Sequence, residues 1–237
     1  MQTFRQHVIA TFILLWCYST TLLALDLTPH TATYTAKIKK GISINGEAVR
    51  ELRQLKNGQW LYRFDVDSMA ATIKESLILE WDTIRVHPIK YDYELSGFFI
   101  KDRNRSINFD RKSNTASGSH KKQNWKITTP ENVLDRLGYQ LQLLIDISSG
   151  SKEVNYQIAH KGRIEPSLFR VLREEEVSTA IGHVNSVLIE KVRDKDNKRK
   201  TLLWFSKAQP LLLLKMSQIE KDGEHYEINV KHISYPK

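Results

Sequence analysis

The sequence contains a single cysteine, Cys17, among its 237 residues. A chain with one thiol forms no internal disulfide and builds no zinc site from several thiolates. If the N-terminal segment that holds Cys17 is removed, a cysteine nucleophile is excluded as well. The roughly 210 residues that follow must then be held together by a hydrophobic core, and their number is ample for one.

Long apolar runs are also scarce, and the one from Val8 to Tyr18 lies at the N-terminus. One charge, on Arg5, precedes it, and small and hydroxyl residues follow as far as Ala24. This order is typical of a secretory signal peptide. We predict a signal peptide over residues 1–24, cleaved near Ala24, and a periplasmic protein. The alternative is an uncleaved membrane anchor, and we expect membrane association only in that case. Lipid attachment at Cys17 is not expected, because bulky residues precede it.

No catalytic or metal-binding motif is present. The sequence lacks HExxH and HxH pairs, the G-x-S-x-G nucleophile elbow, a phosphate loop and a dinucleotide fingerprint. We therefore predict a protein that is not an enzyme, with no catalytic residue, no metal and no cofactor. An enzyme with an unfamiliar site is the alternative that this reasoning leaves open.

The charge balance is basic, with 36 Lys and Arg against 27 Asp and Glu and a net charge of +9. The charges are dispersed and no basic helix or nucleic-acid-binding motif is evident, so nucleic acid is not an expected partner. Short basic clusters occur at residues 37–40, 120–122 and 193–200. They are typical of solvated strand faces and loop tips. The alternative is attraction to anionic envelope material such as lipid headgroups.

Alternation of apolar and polar residues is the dominant pattern, and Trp60–Val66 shows it clearly. Period two is typical of an antiparallel strand that is half buried. Asn57-Gly58 and Asp222-Gly223 separate such runs and predict tight hairpin turns. Asn45-Gly46 and Asp194–Asn197 predict two more turns, and the small polar residues within Arg111–Lys122 predict a surface turn.

One segment has helical spacing instead. Its apolar residues from Val133 to Ile145 recur every three or four positions, which predicts a helix over Pro130–Ser148, with Thr129 as its cap. The predicted fold is mainly β (α+β): a single curved antiparallel sheet, or half-barrel, of about ten strands wrapped around one long α-helix. Residues 25–237 are predicted to form one β-rich domain, because no linker or low-complexity tract divides them.

Several short segments together resemble an exported bacterial family, domain of unknown function 3108. They are Ala32–Ala36, Gly46–Ala48, Arg103–Asp110, Asp135–Leu141, Ile181–Val184 and Leu203–Ser206. The chain lacks the proline that the family tends to carry within the run at Leu211–Lys215. The resemblance implies a single antiparallel β domain curled around a helix, similar at the level of fold to the half-barrels of periplasmic lipoprotein carriers. It implies no activity, because the family has none established.

Two local features could bind a ligand. Phe98 and Phe99 precede Arg103 and Arg105, and an exposed ring beside arginines could hold an acyl chain and its phosphate. The alternative, which is the favoured interpretation, is that both rings are buried and that the two arginines pair with Asp102, Asp110 or neighbouring strands. The second feature, Met69–Ile73, resembles a flap over a barrel mouth, although core packing is the favoured interpretation.

The sequence therefore predicts a non-catalytic binding or carrier module for an apolar or amphiphilic ligand of the cell envelope. The alternative is an envelope assembly factor whose partner is another envelope protein, bound at an open sheet edge.

Overall fold

The computed structural model describes residues 26–40, 42–98, 101–120, 123–194 and 196–236. These residues form one antiparallel sheet of fourteen strands and one α-helix. The strands are β1 (His30–Lys40), β2 (Ile42–Gln54), β3 (Trp60–Ser68), β4 (Ala71–Trp81), β5 (Val86–Gly97), β6 (Arg103–Asp110), β7 (Thr115–His120), β8 (Gln123–Thr128), β9 (Glu153–His160), β10 (Arg163–Thr179), β11 (Gly182–Lys191), β12 (Lys200–Ser206), β13 (Leu213–Ile219) and β14 (His225–Ser234). The helix, α1, spans Gly138–Ser148. The mainly β antiparallel fold is confirmed, whereas the estimate of about ten strands was too low.

The sheet is a meander in two halves. Strands β1 to β8 pair in chain order, strands β9 to β14 do the same, and β1 pairs with β14 to join the halves. The two edge strands are therefore β8 and β9, which lie on either side of α1 in the sequence. Alternate residues of every strand point to the face on which α1 packs, and we call this the inner face.

The helix is shorter than predicted, because its first predicted residues do something else. The backbone of Leu134 pairs with β9: its N–H donates to the carbonyl of Gln157 at 2.9 Å, and its carbonyl accepts from Ala159 at 2.8 Å. Leu134 is thus buried through a strand-like bridge to β9, and the spacing of this segment only imitates a helix. The carboxylate of Asp135 accepts the N–H groups of Leu137 and Gly138 at 2.8 and 2.9 Å, and so satisfies the start of α1 in place of Thr129.

Strand β7 lies inside the segment that was predicted to be a surface turn. Its small residues are required by packing, because a Cβ at Gly118 would lie 2.7 Å from the Cζ2 atom of Trp125 in β8. The predicted turn at Asn45-Gly46 is also wrong. Gly46 lies within β2, and a Cβ there would be 2.4 Å from the carbonyl oxygen of Asp67.

The turn predictions at Asn57-Gly58 and Asp222-Gly223 are confirmed. Gly58 has φ +84° and Gly223 has φ +86°, which is the left-handed conformation that such turns need. The turn at Asp194–Asn197 is also present, since the N–H of Asn197 donates to the carbonyl of Asp194 at 2.9 Å.

The helix fixes the core by packing between the two halves of the inner face. Gln142 accepts the N–H of Val86 at 2.7 Å and donates to the carbonyl of Ile84 at 3.1 Å. At the other side, Tyr156 of β9 donates to Asp146 of α1 at 2.6 Å.

The two edges of the sheet approach each other without pairing. Trp125 on β8 faces the turn between β9 and β10, where a Cβ at Gly162 would be 3.1 Å from the Cγ atom of that tryptophan. The sheet is thus curled until its edges nearly meet.

The one helix of the described residues, α1, lacks the length and the apolar character needed to cross a membrane. The predicted signal peptide, residues 1–24, lies outside the described residues.

Candidate functional site

A row of charged and aromatic residues interrupts the apolar inner face across five neighbouring strands. Cross-strand pairing places its members side by side, in the order Arg50, Phe64, Glu75, Tyr93 and Arg105. The neighbouring row on one side is wholly buried, and it consists of Leu52, Tyr62, Leu77, Tyr91 and Ile107. The row on the other side, toward the hairpin tips, begins at the buried Ala48 and continues with the half-buried Val66, Ile73 and Leu95. Charges thus lie between a closed apolar layer and an accessible one.

Arg50 is the most buried of these charges, with 2% of its surface exposed. Its Nη1 donates to the hydroxyl of Tyr62, and its Nη2 donates to Oε1 of Gln140 on α1 at 3.1 Å. The guanidinium carbon also lies 4.6 Å from the ring centroid of Phe64. Desolvation disfavours the charge, but the neighbouring Tyr62 and Tyr34 outweigh it, and the pKa of Arg50 is raised. Arg50 therefore stays charged and ties α1 to the sheet.

Glu75 and Arg105 lie on either side of Tyr93. The guanidinium carbon of Arg105 stands 4.7 Å from the ring centroid of Tyr93, within the range of a cation–π contact. Burial raises the pKa of the Glu75 carboxyl, and the positive charges of Arg136 and Arg50 oppose that rise. Among the described residues, Glu75 makes no ion pair with any of these arginines.

Two further cations reach the same region from α1 and from the second half of the sheet. Arg136 lies just before α1, is exposed to solvent, and is close enough to Glu75 for that carboxylate to raise its pKa against the effect of desolvation. Lys191 on β11 has its Nζ atom 5.6 Å from the ring centroid of Phe169 and 5.9 Å from that of Tyr139. Burial, with the nearby charges of Arg193 and Arg136, lowers the pKa of Lys191 to about 8. We call Arg50, Glu75, Arg105, Arg136 and Lys191 the charged cluster.

The charged cluster has more positive than negative charge. Its four cations face one carboxylate, Arg193 adds a fifth cation next to Lys191, and the buried Asp135 adds a second carboxylate near Glu75. Another inward carboxylate, Glu165, pairs with Arg163 at 2.6 Å. Within the described parts of the chain, Arg193 and the four cations of the cluster form no ion pair. This excess of positive charge over an accessible apolar row is suited to an anionic group attached to an apolar body.

The predicted ligand-binding residues are divided by the structure. Arg105 belongs to the charged cluster. Arg103 lies on the same face, one step nearer the hairpin tip, and Phe98 is 79% exposed at that tip. Phe99 lies outside the described residues. Met69 is 94% exposed, so core packing was the wrong interpretation for it. Met69 and Phe98 line a depression of about 380 Å³ between the tips of two neighbouring hairpins.

Sequence reasoning missed Arg50, Glu75, Arg136 and Lys191. The pattern that could have revealed three of them is a charge at a position where the alternation requires an apolar residue, as in Ile73, Glu75, Leu77. Arg136 gives no such pattern, because its segment has helical spacing instead of alternation. No group of three His, Cys, Asp or Glu side chains suited to a metal ion occurs in the part of the chain that the structure describes.

The fold and the cluster define a mainly β, barrel-like protein whose apolar inner face carries a charged cluster. The chain belongs to a family described as protein of unknown function (DUF3108), whose model matches residues 33–230. The resemblance stated from the sequence is thereby confirmed. No curated protein matches the chain.

Solved structures support the fold. A β-barrel-like protein of domain of unknown function DUF1849 from Brucella abortus is 12% identical, with a TM-score of 0.59, and the match covers 90% of this chain and 100% of that one. A DUF1329 family protein from Desulfovibrio piger is also 12% identical over 88% of this chain and 85% of that one. Its TM-score of 0.32 is too low to carry an argument. At these identities the likeness shows the fold alone.

Proposed function

We propose that the protein is a non-catalytic, periplasmic binding or carrier module for an apolar or amphiphilic ligand of the cell envelope. In this proposal residues 1–24 are a cleaved signal peptide and residues 25–237 form the binding domain. The ligand lies on the inner face, between the charged cluster and the hairpin tips.

The observation that carries the proposal is the half-buried apolar row of Val66, Ile73 and Leu95. These side chains share one face and are paired across neighbouring strands, yet solvent still reaches them. An apolar strip of this kind, next to a few convergent polar groups, is the usual composition of a small-molecule site. The row lies between the charged cluster and the hairpin tips, which carry the exposed Met69 and Phe98.

The predicted ligand-binding residues keep their place in this proposal. Phe98 and Phe99 would contact the apolar part of the ligand as it enters, and Arg103 and Arg105 would contact its polar part. Changing both phenylalanines to alanine is expected to abolish ligand uptake.

The test is native mass spectrometry of the chain purified from its own envelope, followed by organic extraction. We expect a discrete adduct of lipid size that is lost on delipidation. Val66→Trp, which fills the inner face, should abolish the adduct, because the indole occupies the apolar strip. Asp67→Trp, the neighbouring position on the opposite face, is the matched control and should keep it. A clean mass without adduct in repeated preparations would refute the carrier proposal.

The second candidate function is an envelope assembly or protein-interaction factor. It is favoured by the two large apolar side chains, Met69 and Phe98, that neighbouring hairpin tips present to solvent. A clean mass in the experiment above, together with a crosslinked envelope protein that is lost when Met69 is changed to Ser, would support it.

A further inference from the structure

We infer that the polar end of the ligand is an anion, a carboxylate or a phosphate, and that Arg105, Arg136 and Lys191 bind it. This inference rests on the proposed function and adds the chemical class of the ligand and the residues that select it. Arg50 is hydrogen-bonded to neighbouring side chains, whereas the side chains of the other three cations of the charged cluster make no hydrogen bond within the described residues.

Arg50 is committed to the fold. Two of its nitrogens donate to Tyr62 and Gln140, and its guanidinium is enclosed by aromatic rings. Solvent reaches only 2% of its surface. A ligand would have little access to it, so its part is to hold α1 and to add to the positive potential.

Arg105 has a hydrogen-bond donor that no described residue accepts. Its only described contact is the stacking of its guanidinium on the ring of Tyr93, and its Nε atom finds no acceptor among the described residues although it is shielded from solvent. A buried donor without an acceptor costs free energy, and an incoming oxyanion would remove that cost.

Arg136 lies one helical turn before Gln140, whose side chain donates to the carbonyl of Arg136 at 3.1 Å and accepts from Arg50 at 3.1 Å. Its charge alters the pKa of Glu75 and Tyr91 on one half of the sheet, and of His160 and Lys191 on the other. The residue as a whole is exposed, although desolvation acts on the charge of its guanidinium, so a ligand on the inner face would meet this cation at the boundary with solvent. A planar guanidinium in this position can bind a carboxylate or phosphate through two hydrogen bonds.

Lys191 completes the cluster from the opposite side of α1. Its ammonium group lies among Tyr139, Phe169 and Arg193, with no carboxylate in ion-pair contact in the described parts of the chain. An anion bound there would relieve the repulsion between Lys191 and its cationic neighbours. This relief of repulsion favours an anionic headgroup over a neutral headgroup of the same shape.

Glu75 opposes anion binding, because its carboxylate is itself a negative charge among the cations of the charged cluster. It is the one inward carboxylate of the charged cluster, and it shares Arg136 and Arg105 with any bound anion. A ligand must compete with it, so removal of its charge should tighten anion binding. This reversal separates an electrostatic site from a merely apolar one.

The test measures binding to the delipidated full chain, in its native processed form, by isothermal titration calorimetry. The probes are decanoate, decyl phosphate, 1-decanol and inorganic phosphate. We expect at least one of the two anionic amphiphiles to bind about tenfold more tightly than 1-decanol or more. Whichever of the two binds more tightly identifies the headgroup as carboxylate or phosphate.

Charge variants assign the residues. Arg136→Gln and Lys191→Gln should each weaken the binding of the anionic probe about tenfold and leave 1-decanol unchanged. Arg136→Lys, which keeps the charge but loses the two parallel hydrogen bonds, should weaken the binding of the anionic probe less than Arg136→Gln does. Glu75→Gln should strengthen anion binding severalfold. Arg170→Gln is the matched control, since Arg170 lies on the opposite face and pairs there with Glu153 at 2.7 Å. Circular dichroism of each variant shows whether it is folded.

The outcomes separate the inference from the proposed function. If 1-decanol binds as tightly as the anions, and the folded charge variants behave like the native chain, the inference is wrong and the carrier proposal stands. If inorganic phosphate binds as tightly as decyl phosphate, the anion site stands and the carrier proposal falls. If no probe binds, both fail.

Discussion

At the scale of the residue, the effect of a charge on stability depends on the face of the sheet from which its side chain projects. Arg50 and Arg63 lie on adjacent strands, but their side chains point to opposite faces. Arg63 pairs with Asp65 at a partly exposed position, where an ion pair contributes little to stability. Arg50 is enclosed by Tyr62 and Phe64, where the loss of its partners would leave a buried charge uncompensated. The inner face therefore concentrates the energetic consequences of charge.

His160 gives a prediction at this scale. Burial and the nearby charge of Arg136 lower its pKa from 6.5 to about 3, so the folded chain keeps the imidazole neutral. Between these values the unfolded chain binds more protons, and stability must fall as the pH is lowered from 6.5 toward 3. We expect His160→Gln to remove this loss of stability, which is about 5 kcal/mol at most. The measurement is the free energy of unfolding in urea across this pH range.

Two further groups bear on the pH dependence of stability in the native chain and in His160→Gln. Asp135 acts in the opposite sense, because burial raises its pKa to about 6 and the folded chain gains stability as the pH falls from 6 toward 4. That effect is common to the native chain and the variant, so it cancels in their difference. His183→Gln, at an exposed position, is the matched control. Equal pH dependence in all three proteins would contradict the prediction.

At the scale of the element, local patterns predicted the strands and failed at their boundaries with other elements. Alternation in Trp60–Val66 and the turn at Asn57-Gly58 depend on neighbours in sequence, and both are found. Strand β7 has small residues that show no alternation, since their role is to fit beneath Trp125. Leu134 shows helical spacing because it is buried against β9, which is a contact distant from the local pattern. Tertiary packing decided both cases.

Gly118 tests this account of β7. A Cβ at this position would lie 2.1 Å from the backbone oxygen of Ser106 and 2.7 Å from Trp125, so one of the two strands must move. We expect Gly118→Ala to lower the free energy of unfolding by about 1–3 kcal/mol, as overpacking does. Chemical denaturation measures the loss. Ser117→Ala, the adjacent position on the same strand, should change stability little. A Gly118→Ala variant as stable as the native chain would show that the contact is not tight.

At the scale of the whole molecule, the charged cluster exists only because distant strands meet. Arg105 is on β6 and Lys191 is on β11, and α1 with its preceding Arg136 lies between them. Strand order across fourteen strands cannot be read from one sequence, so only Arg105 was predicted from its local setting. The charge of Arg105 on β6 lowers the pKa of His160 on β9, and this effect also requires that the two edges of the sheet come together. The site is therefore a consequence of the curl of the sheet.

Trp125 is the residue on which that curl is best tested. It packs against Gly118 on its own side and against Gly162 at the opposite edge, while β8 and β9 share no ladder. We expect Trp125→Ala to free the two edges and to speed amide hydrogen exchange in β8 and at the β9–β10 turn about tenfold, or about 1.4 kcal/mol of local opening. Exchange in β1 and β14, at the middle of the sheet, should stay slow.

The control for Trp125 is Trp204, whose indole donates to Glu175 at 2.6 Å on the opposite face of the sheet. Trp204→Ala should speed exchange in β11, β12 and β13 and leave β8 unchanged. If Trp125→Ala speeds exchange throughout the sheet, the edges are held by the whole core rather than by this contact. If it leaves β8 unchanged, α1 alone holds the curl. Faster exchange confined to the edges would show that the inner face can open there, without unfolding the strands that carry the charged cluster.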